Sequence, residues 1–460
     1  MAIQLINQFA PANREMLENM QGNILKAHGR EHTANFFFNA KEGKKKEFKK
    51  WMLHLATSGL VQSCYDQLRD IQRWKTHKID GGTFAVVHIS AKGYEYLLED
   101  IKPARVKLNA EFENGMNKSG LGDDEKDFEE GIKDESQFLL ILADNNIDAL
   151  EQQIEIIELQ LANIANIEYI QRGDAIKNAE GAGIEHFGYV DGISQPIFFE
   201  DELTTYKKQN GSPTKLTYDP SADKGLVLVQ DPYTKEKNPE AFGSYLVFRK
   251  LEQDVYGFKK AEEKLAKQLN LEGEDAERAG AYIVGRFEDG TPVEVSKDAG
   301  LLNNSVINDF DFKADDASKC PYHAHIRKTN PRSEFDKLGD AKSHVMARRG
   351  IPFGKRADSP MDGVLETKPR GGVGLLFMSY QNSISKQFEV IQNLWANKED
   401  FFKGETGLDL IIGNGDYPST SDYPKKWGEP ENEKASFGKF VTTRGGGYYF
   451  APSMVFLKEL

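Results

Sequence analysis

Three stretches of the chain concentrate the residues able to do chemistry. The densest is CPYHAHIRKTNPR (320–332), which gathers Cys320, His323, His325, Arg327 and Arg332 in one turn-rich segment. Cys320, His323 and His325 together offer a tetrahedral zinc site, completed by His344 or Asp340. A single imidazole of the segment offers something different, the axial ligand of a haem, with the neighbouring guanidiniums matched to the propionates. The bland alternative is a loop whose histidines satisfy buried backbone groups. In HFGYVDGISQP (186–196), Asp191 stands between Val190 and Gly192. A carboxylate in that apolar, glycine-flanked setting is either a turn former or a buried acid–base group. HVMARRGIPFG (344–354) places Arg348 and Arg349 before a Gly-Ile-Pro bend, either cations at the edge of apolar surface or ordinary surface arginines.

Several other chemistries are excluded by motif. No GxxxxGK[ST] phosphate loop is present, GISQP (192–196) is not a GxSxG nucleophile elbow, and there is no CxxC pair for a zinc ribbon. Gly445 to Gly447, after Arg444, suggest only a tight turn. The formal charge of −13 repels phosphate backbones and argues against nucleic-acid binding. No run of about 18 uncharged apolar residues exists, which argues against a membrane span. The 28 Phe, 17 Tyr and 4 Trp supply core material, which argues against disorder. Two cysteines, Cys64 and Cys320, cannot build a disulfide framework and fit a reducing compartment. The opening MAIQLINQFAPANREM lacks a basic region followed by a long apolar stretch, so a cytoplasmic protein is expected.

The elements that must position these residues follow from hydrophobic periodicity. Strand-like runs occur at ANFFFNA (34–40), TFAVVHIS (83–90), QFLLILA (137–143), GSYLVFRKL (243–251), GLLFMSY (374–380) and the GGGYYFAPSM segment. Between them lie helices. Phe48, Trp51, Met52 and Leu55 share one helical face, and Leu150, Ile154, Ile157 and Leu161 another, with Asp144 or Asn145 as its cap. In the second half Phe258, Leu265 and Leu269 form a stripe, as do Phe388, Ile391 and Trp395. The acidic stretch 115–135 reads as a solvated loop. The strands are too few and too far apart for a doubly wound sheet. The expected fold class is α+β, in two halves of split β-α-β type, residues 1–205 and 225–460, joined through the polar stretch 201–224.

Together the motifs resemble the dye-decolorising peroxidases, a family of haem peroxidases. GYVDG (188–192) matches a GxxDG motif, CPYHAHIRKTNPR a CPxxAHxRxxNPR segment, and ARRGIPFG (347–354) a distal-arginine segment. GSYLVFRKLEQDV, GLLFMSYQNSI, TGLDLIIG and FVTTRGGGYYFAPS follow in the same order as in the family. MQGNILKAHGREHTANFFF near the start resembles the longer, more elaborated branch, so the likeness runs from about residue 20 to about 453. The resemblance implies two ferredoxin-like halves with antiparallel sheets and a haem b (iron protoporphyrin IX) in the C-terminal half. It implies His325 as the iron ligand, Asp409 as the acid behind it, and Arg327 and Asn330 as propionate partners. It assigns Asp191 and Arg348 to the peroxide side, and Leu375 and Phe377 to the apolar residues that restrict access to the iron.

The implied activity is oxidation of dyes and small aromatic reductants by hydrogen peroxide through a ferryl and porphyrin-radical intermediate. Asp191 would move the proton, Arg348 would stabilise the developing charge, and an acidic pH bias is expected. Trp395 resembles a surface electron relay, although its core-facing helical phase equally fits packing. The rival readings are a haem carrier or iron-extraction protein without turnover, a zinc hydrolase, and a structural module.

Overall fold

The computed structural model describes residues 3–98, 109–210, 215–234, 236, 238–300, 307–337, 340–358, 363–401 and 403–460. Eight strands carry the fold. The first four are β1 (His32–Ala40), β2 (Phe84–Ile89), β3 (Phe138–Asp144) and β4 (Ala165–Asp174). The other four are β5 (Phe242–Gln253), β6 (Ile351–Phe353), β7 (Gly374–Gln381) and β8 (Val441–Ala451). Their order across one continuous antiparallel sheet is β6-β7-β5-β8-β2-β3-β1-β4. Each set of four therefore has its second, third, first and fourth strands side by side, the order of a ferredoxin-like unit. The sets meet where Phe450 of β8 pairs with Ile89 of β2.

Strands β1 and β3 show why the sequence reads as unbroken apolar runs. Ala34, Phe36 and Phe38 pack into one core, while Phe37 faces a second. Phe138, Leu140 and Leu142 alternate with Leu139, Ile141 and Ala143 in the same way. Both faces of the sheet are covered, so the polar half of the usual alternation is missing. The sheet also curls until its edge strands approach: a Cβ built at Gly173 of β4 would lie 2.8 Å from the Ile351 side chain of β6. Both cores take residues from the two halves, Leu246 and Phe248 sharing one with Leu139 and Ile141.

Helices occupy the expected places. Lys45–Thr57 buries Phe48, Trp51, Met52 and Leu55, and Ile147–Leu161 buries Leu150, Ile154, Ile157 and Leu161. Its cap is Asn146, one residue beyond the expected Asp144 or Asn145; Asn146 Oδ1 accepts the Asp148 and Ala149 N–H groups. Asp144 is instead taken by Thr83, whose hydroxyl donates to it at 2.6 Å. Val255–Gln268 buries Phe258 and Leu265. Ser385–Ala396 is wound in the wider π form, with the Glu389 N–H reaching Ile384 O.

Three further expectations change. The 115–135 stretch is anchored as well as solvated: Asp123 pairs with the buried Arg249 of β5, and Leu121 is buried. The glycines after Arg444 lie within β8, at a bulge between Thr443 and Gly445, rather than in a turn. A side chain at Gly446 would strike Phe248 O at 2.2 Å, so the residue type is set by backbone approach. The first part of the polar stretch 201–224 falls in a helix, Glu200–Gln209.

Candidate active site

Ala324 is fully buried and His325 opens the short helix His325–Thr329, so the ring is fixed from the main chain outward. His325 Nδ1 donates to Asp409 Oδ2 at 2.9 Å. Asp409 is fully buried, and its Oδ1 accepts the N–H groups of Ile411 and Ile412 at 2.9 and 3.0 Å. Its own N–H donates to Ala396 O, the last residue of the π-wound helix. Burial pushes the Asp409 carboxyl up, but the His325 charge and the three hydrogen bonds outweigh it and hold the group below its ordinary value. Burial pulls His325 down, and Asp409 more than restores it, so the imidazole ends above its ordinary value. With Nδ1 committed, Nε2 is the nitrogen available to a ligand.

His325 lines a cavity of about 510 Å³. Asp191, Arg348, Leu375, Phe377 and Asn330 line the same cavity. Asp191 sits on a small hairpin closed by Asp191 N–H to Gly183 O at 3.0 Å, with Gly192 at φ +78° continuing the turn. Its Oδ1 accepts the Gly192 N–H at 2.6 Å and the side chain is otherwise exposed to the cavity. Arg348 lies on the two-residue strand Ala347–Arg348 beside β7, and its Nη2 donates to Ser194 O at 3.2 Å. Both Arg348 and Asp191 act electrostatically on His325. Leu375 and Phe377 turn outward from β7 into the cavity, while Leu376 and Met378 point into the curled sheet. One core holds all these parts together, packing Phe187 and Tyr189 of the Asp191 hairpin with Ala324 and Leu410 beside His325 and Asp409.

The wall is not confined to the C-terminal half. Asn23, His28 and Arg30 of the N-terminal arm line the cavity, as does the Asp191 hairpin itself. Arg286, Arg332 and Arg349 line it too. Among the described residues none of these three, nor Arg348, pairs with a carboxylate. Arg286 donates to Gly290 O, Ile307 O and Asn308 Oδ1. Arg332 donates to Asn308 and Phe310 and stacks over the Phe310 ring at 3.7 Å. Burial, then their mutual repulsion, pulls Arg286 down to about 9. Burial takes Arg332 to about 10.

Three expectations are corrected. Arg327 does not reach the cavity: Nη1 donates to Asp315 Oδ2 at 2.8 Å and Nη2 to Glu334 Oε1 at 2.6 Å, so its guanidinium is spent on buried carboxylates. Arg332 and Arg286 take its place as cations on the wall. Arg332 stands in the NPR step of the same motif; Arg286 has no motif and only the fold brings it in. Trp395 is not a surface residue but 3% exposed, stacked on Phe401 at 5.2 Å and edge-on to His344 at 5.1 Å. The zinc set does not assemble, since among the described residues no group of three His, Cys, Asp or Glu is placed to hold a metal. His323 packs against Tyr423 at 4.7 Å, and Cys320 is a buried free thiol.

Residues 214–406 match the family model for the C-terminal part of Dyp-type peroxidases. The chain is 38% identical over 459 residues to the multifunctional dye peroxidase DyP2 of Amycolatopsis sp., covering 97% of this chain and 96% of that protein. The chain belongs to the dye-decolorising peroxidases. The crystal structure of the Anabaena DyP-type peroxidase superposes with a TM-score of 0.89 at 36% identity, over 99% of this chain and 97% of that one. A fungal DyP-type peroxidase from Auricularia auricula-judae superposes at 0.74 with 25% identity, over 96% and 98%. The peroxidase is haem-dependent, as its family is, and the carrier reading falls away. The residues present fit that group. An imidazole locked through Nδ1 offers Nε2 to iron, and Arg286 and Arg332, which meet no carboxylate among the described residues, offer cations to a cofactor that carries carboxylates. No helix among the described residues is long and apolar enough to cross a membrane.

Proposed function

We propose that this peroxidase holds haem b through His325 Nε2 and uses hydrogen peroxide to oxidise dyes and small aromatic reductants. The observation that carries the reading is one cavity lined by His325, Asp191, Arg348, Arg286 and Arg332, with Asp409 bonded to His325 from behind. When bound, the haem iron supplies the two-electron chemistry of O–O cleavage and the one-electron steps that follow. Asp409 keeps the proton on His325 Nδ1, which fixes the tautomer and raises the donor strength of Nε2. Arg332, Arg286 and Asn330, which line the cavity, would hold the propionates. Asp191 Oδ1 is held by Gly192, which leaves Oδ2 to take the proton from the near oxygen of peroxide and return it to the far one, which departs as water. Arg348 faces the negative charge that builds on the departing oxygen. Leu375 and Phe377 narrow the cavity, so peroxide would enter and bulky dyes would react from outside. Names of the relatives as dye peroxidases support the substrate class.

The two halves 1–205 and 225–460 are proposed as the repeating units of the chain, each contributing one wall. Cys64 and Cys320, both free and buried, accord with a cytoplasmic location. An absorption spectrum with a Soret band at one haem per chain, and turnover of peroxide with a phenol, test the reading directly. His325→Ala should lose the bound haem and all turnover; haem retained with an unchanged spectrum overturns the axial assignment.

A further inference from the structure

The cavity wall holds a second carboxyl group that the peroxide chemistry above does not use. Glu185 stands six residues before Asp191 and lines the same cavity. Its Oε2 accepts the Phe187 N–H at 2.8 Å and its Oε1 accepts the Tyr189 N–H at 3.0 Å. Its carbonyl accepts the Gly188 N–H, and its own N–H donates to Tyr189 O. The turn that leads into Asp191 is thus folded around this one side chain. Gly188, at φ +102°, is where the turn reverses, with Glu288 on its outer side. From the sheet, Gln253 Nε2 donates to Glu185 Oε2, while Gln253 Oε1 is buried and without a partner among the described residues.

We propose that Glu185 is a positioning residue for the peroxide reaction, bracing the turn that presents Asp191 and passing on through that turn a charge change that the Glu185–Gln253 pair accommodates. The inference rests on the reading of Asp191 as the acid–base group. Gln253 suits a carboxyl partner in either state, since an amide presents N–H donors on one side and an oxygen on the other. An ionised Glu185 takes the Nε2–H; a protonated one gives its O–H to Oε1 once the amide turns over. Burial pushes Glu185 up to about 7, with the Asp191 charge adding to the rise and the Gln253, Phe187 and Tyr189 hydrogen bonds opposing it. The surrounding charges are few. Tyr189 binds Glu262, which pairs with Lys259 and through it Glu288, on the helix side. Arg356 binds His186 O on the other. Arg348 shares the cavity.

The test follows the rate of cyanide binding and of the first reaction with peroxide against pH in the holoenzyme, by the Soret change. Cyanide, like peroxide, must give up a proton as it binds, so it reads the same base without turnover. Wild-type profiles should bend near pH 7. Glu185→Gln should keep one haem per chain, lose that bend and react with peroxide roughly tenfold to a hundredfold more slowly, the scale of a misplaced catalytic group. Gln253→Leu removes a hydrogen bond that lowers the Glu185 pKa, so its bend should move to higher pH. An unchanged bend in Glu185→Gln overturns the inference. If that variant does not fold, an unmoved bend in Gln253→Leu does so instead. Asp191→Asn separates the two ideas: full peroxide reactivity there defeats the Asp191 reading, whereas a normal Glu185→Gln beside a crippled Asp191→Asn defeats only the role of Glu185.

Discussion

Asp409, behind His325, is fully buried and accepts three hydrogen bonds, whereas Asp191, on the same cavity, is exposed and accepts one, from the next residue in the chain. The two carboxylates differ only in their surroundings. Donors aimed at Asp409 fix its charge and, through it, the tautomer of His325. Among the described residues the Asp191 carboxylate is held only by that neighbour, the freedom that its proposed acid–base role requires. On the proposed reading, one wall holds a cofactor still and the other lets a proton move.

Substitutions can break that contrast, and the largest effect is expected on the mobile wall. Asp191→Asn should slow the first reaction with peroxide by about two to four orders of magnitude while haem content stays normal. Arg348→Leu should cost about two to three orders. Stopped-flow spectra at one haem per chain check both, and loss of haem in either would erase the difference between the walls.

On the fixed wall, Asp409→Asn should weaken haem retention by about tenfold to a hundredfold, as removal of an outer-shell acid does, read from haem release to an acceptor protein. The contribution of Asp409 also has a defined pH window. Its pKa in the folded chain is depressed below 3.8, so the contribution is full above that value and is lost only as pH falls further, through the folded pKa. The Soret band of the resting enzyme should therefore hold its position down to mildly acidic pH; a shift well above pH 3.8 would mean that Asp409 is not locked.

Arg327 sharpens the comparison from behind the fixed wall. Arg327→Leu strands Asp315 and Glu334 and should cost about 3–5 kcal/mol of stability, seen as a fall in Tm. The haem spectrum of the folded fraction should stay that of the wild type, because the side chain does not touch the cavity. The smallest effect is expected at Trp395. Trp395→Phe should cost about 1–2 kcal/mol, for the part of the ring removed and the space left behind, and leave dye oxidation unchanged, as suits a packed ring. A selective loss of dye oxidation, with small phenols still oxidised, would make it a relay after all.

Much of the site was legible in the sequence because it lies in short, dense segments. His325, Asp409, Asp191 and Arg348 are motif positions; His325, Asp191 and Arg348 line one cavity, and Asp409 stands behind it on His325. Arg327 and Arg332 show the limit. Both lie in CPYHAHIRKTNPR, five residues apart, and nothing local says which guanidinium faces the cavity. The choice is made by Asp315 and Glu334, which capture Arg327, and by Phe310 and Tyr218, which sandwich Arg332. Glu185 shows another limit, since a glutamate before an HFG step carries no signal until its turn is seen folded around it.

By itself the sequence determined most of the strands and helices and named candidate reactive groups, because periodicity and motif spacing act over a few residues. Net charge, −13, and the presence of just two cysteines are likewise matters of sequence alone. Only the tertiary structure decided how those groups meet. The sheet curls and joins its two halves at a single pairing of Phe450 with Ile89, and that brings the Asp191 hairpin and the N-terminal arm onto the wall that His325 also lines. Burial then sorted the charges. Where a carboxylate waits in the core, as for Arg327, an arginine becomes a strut; where, among the described residues, only neutral acceptors and rings meet it, as for Arg332, its charge stays uncompensated on the cavity, a difference of long-range contact that local sequence cannot encode.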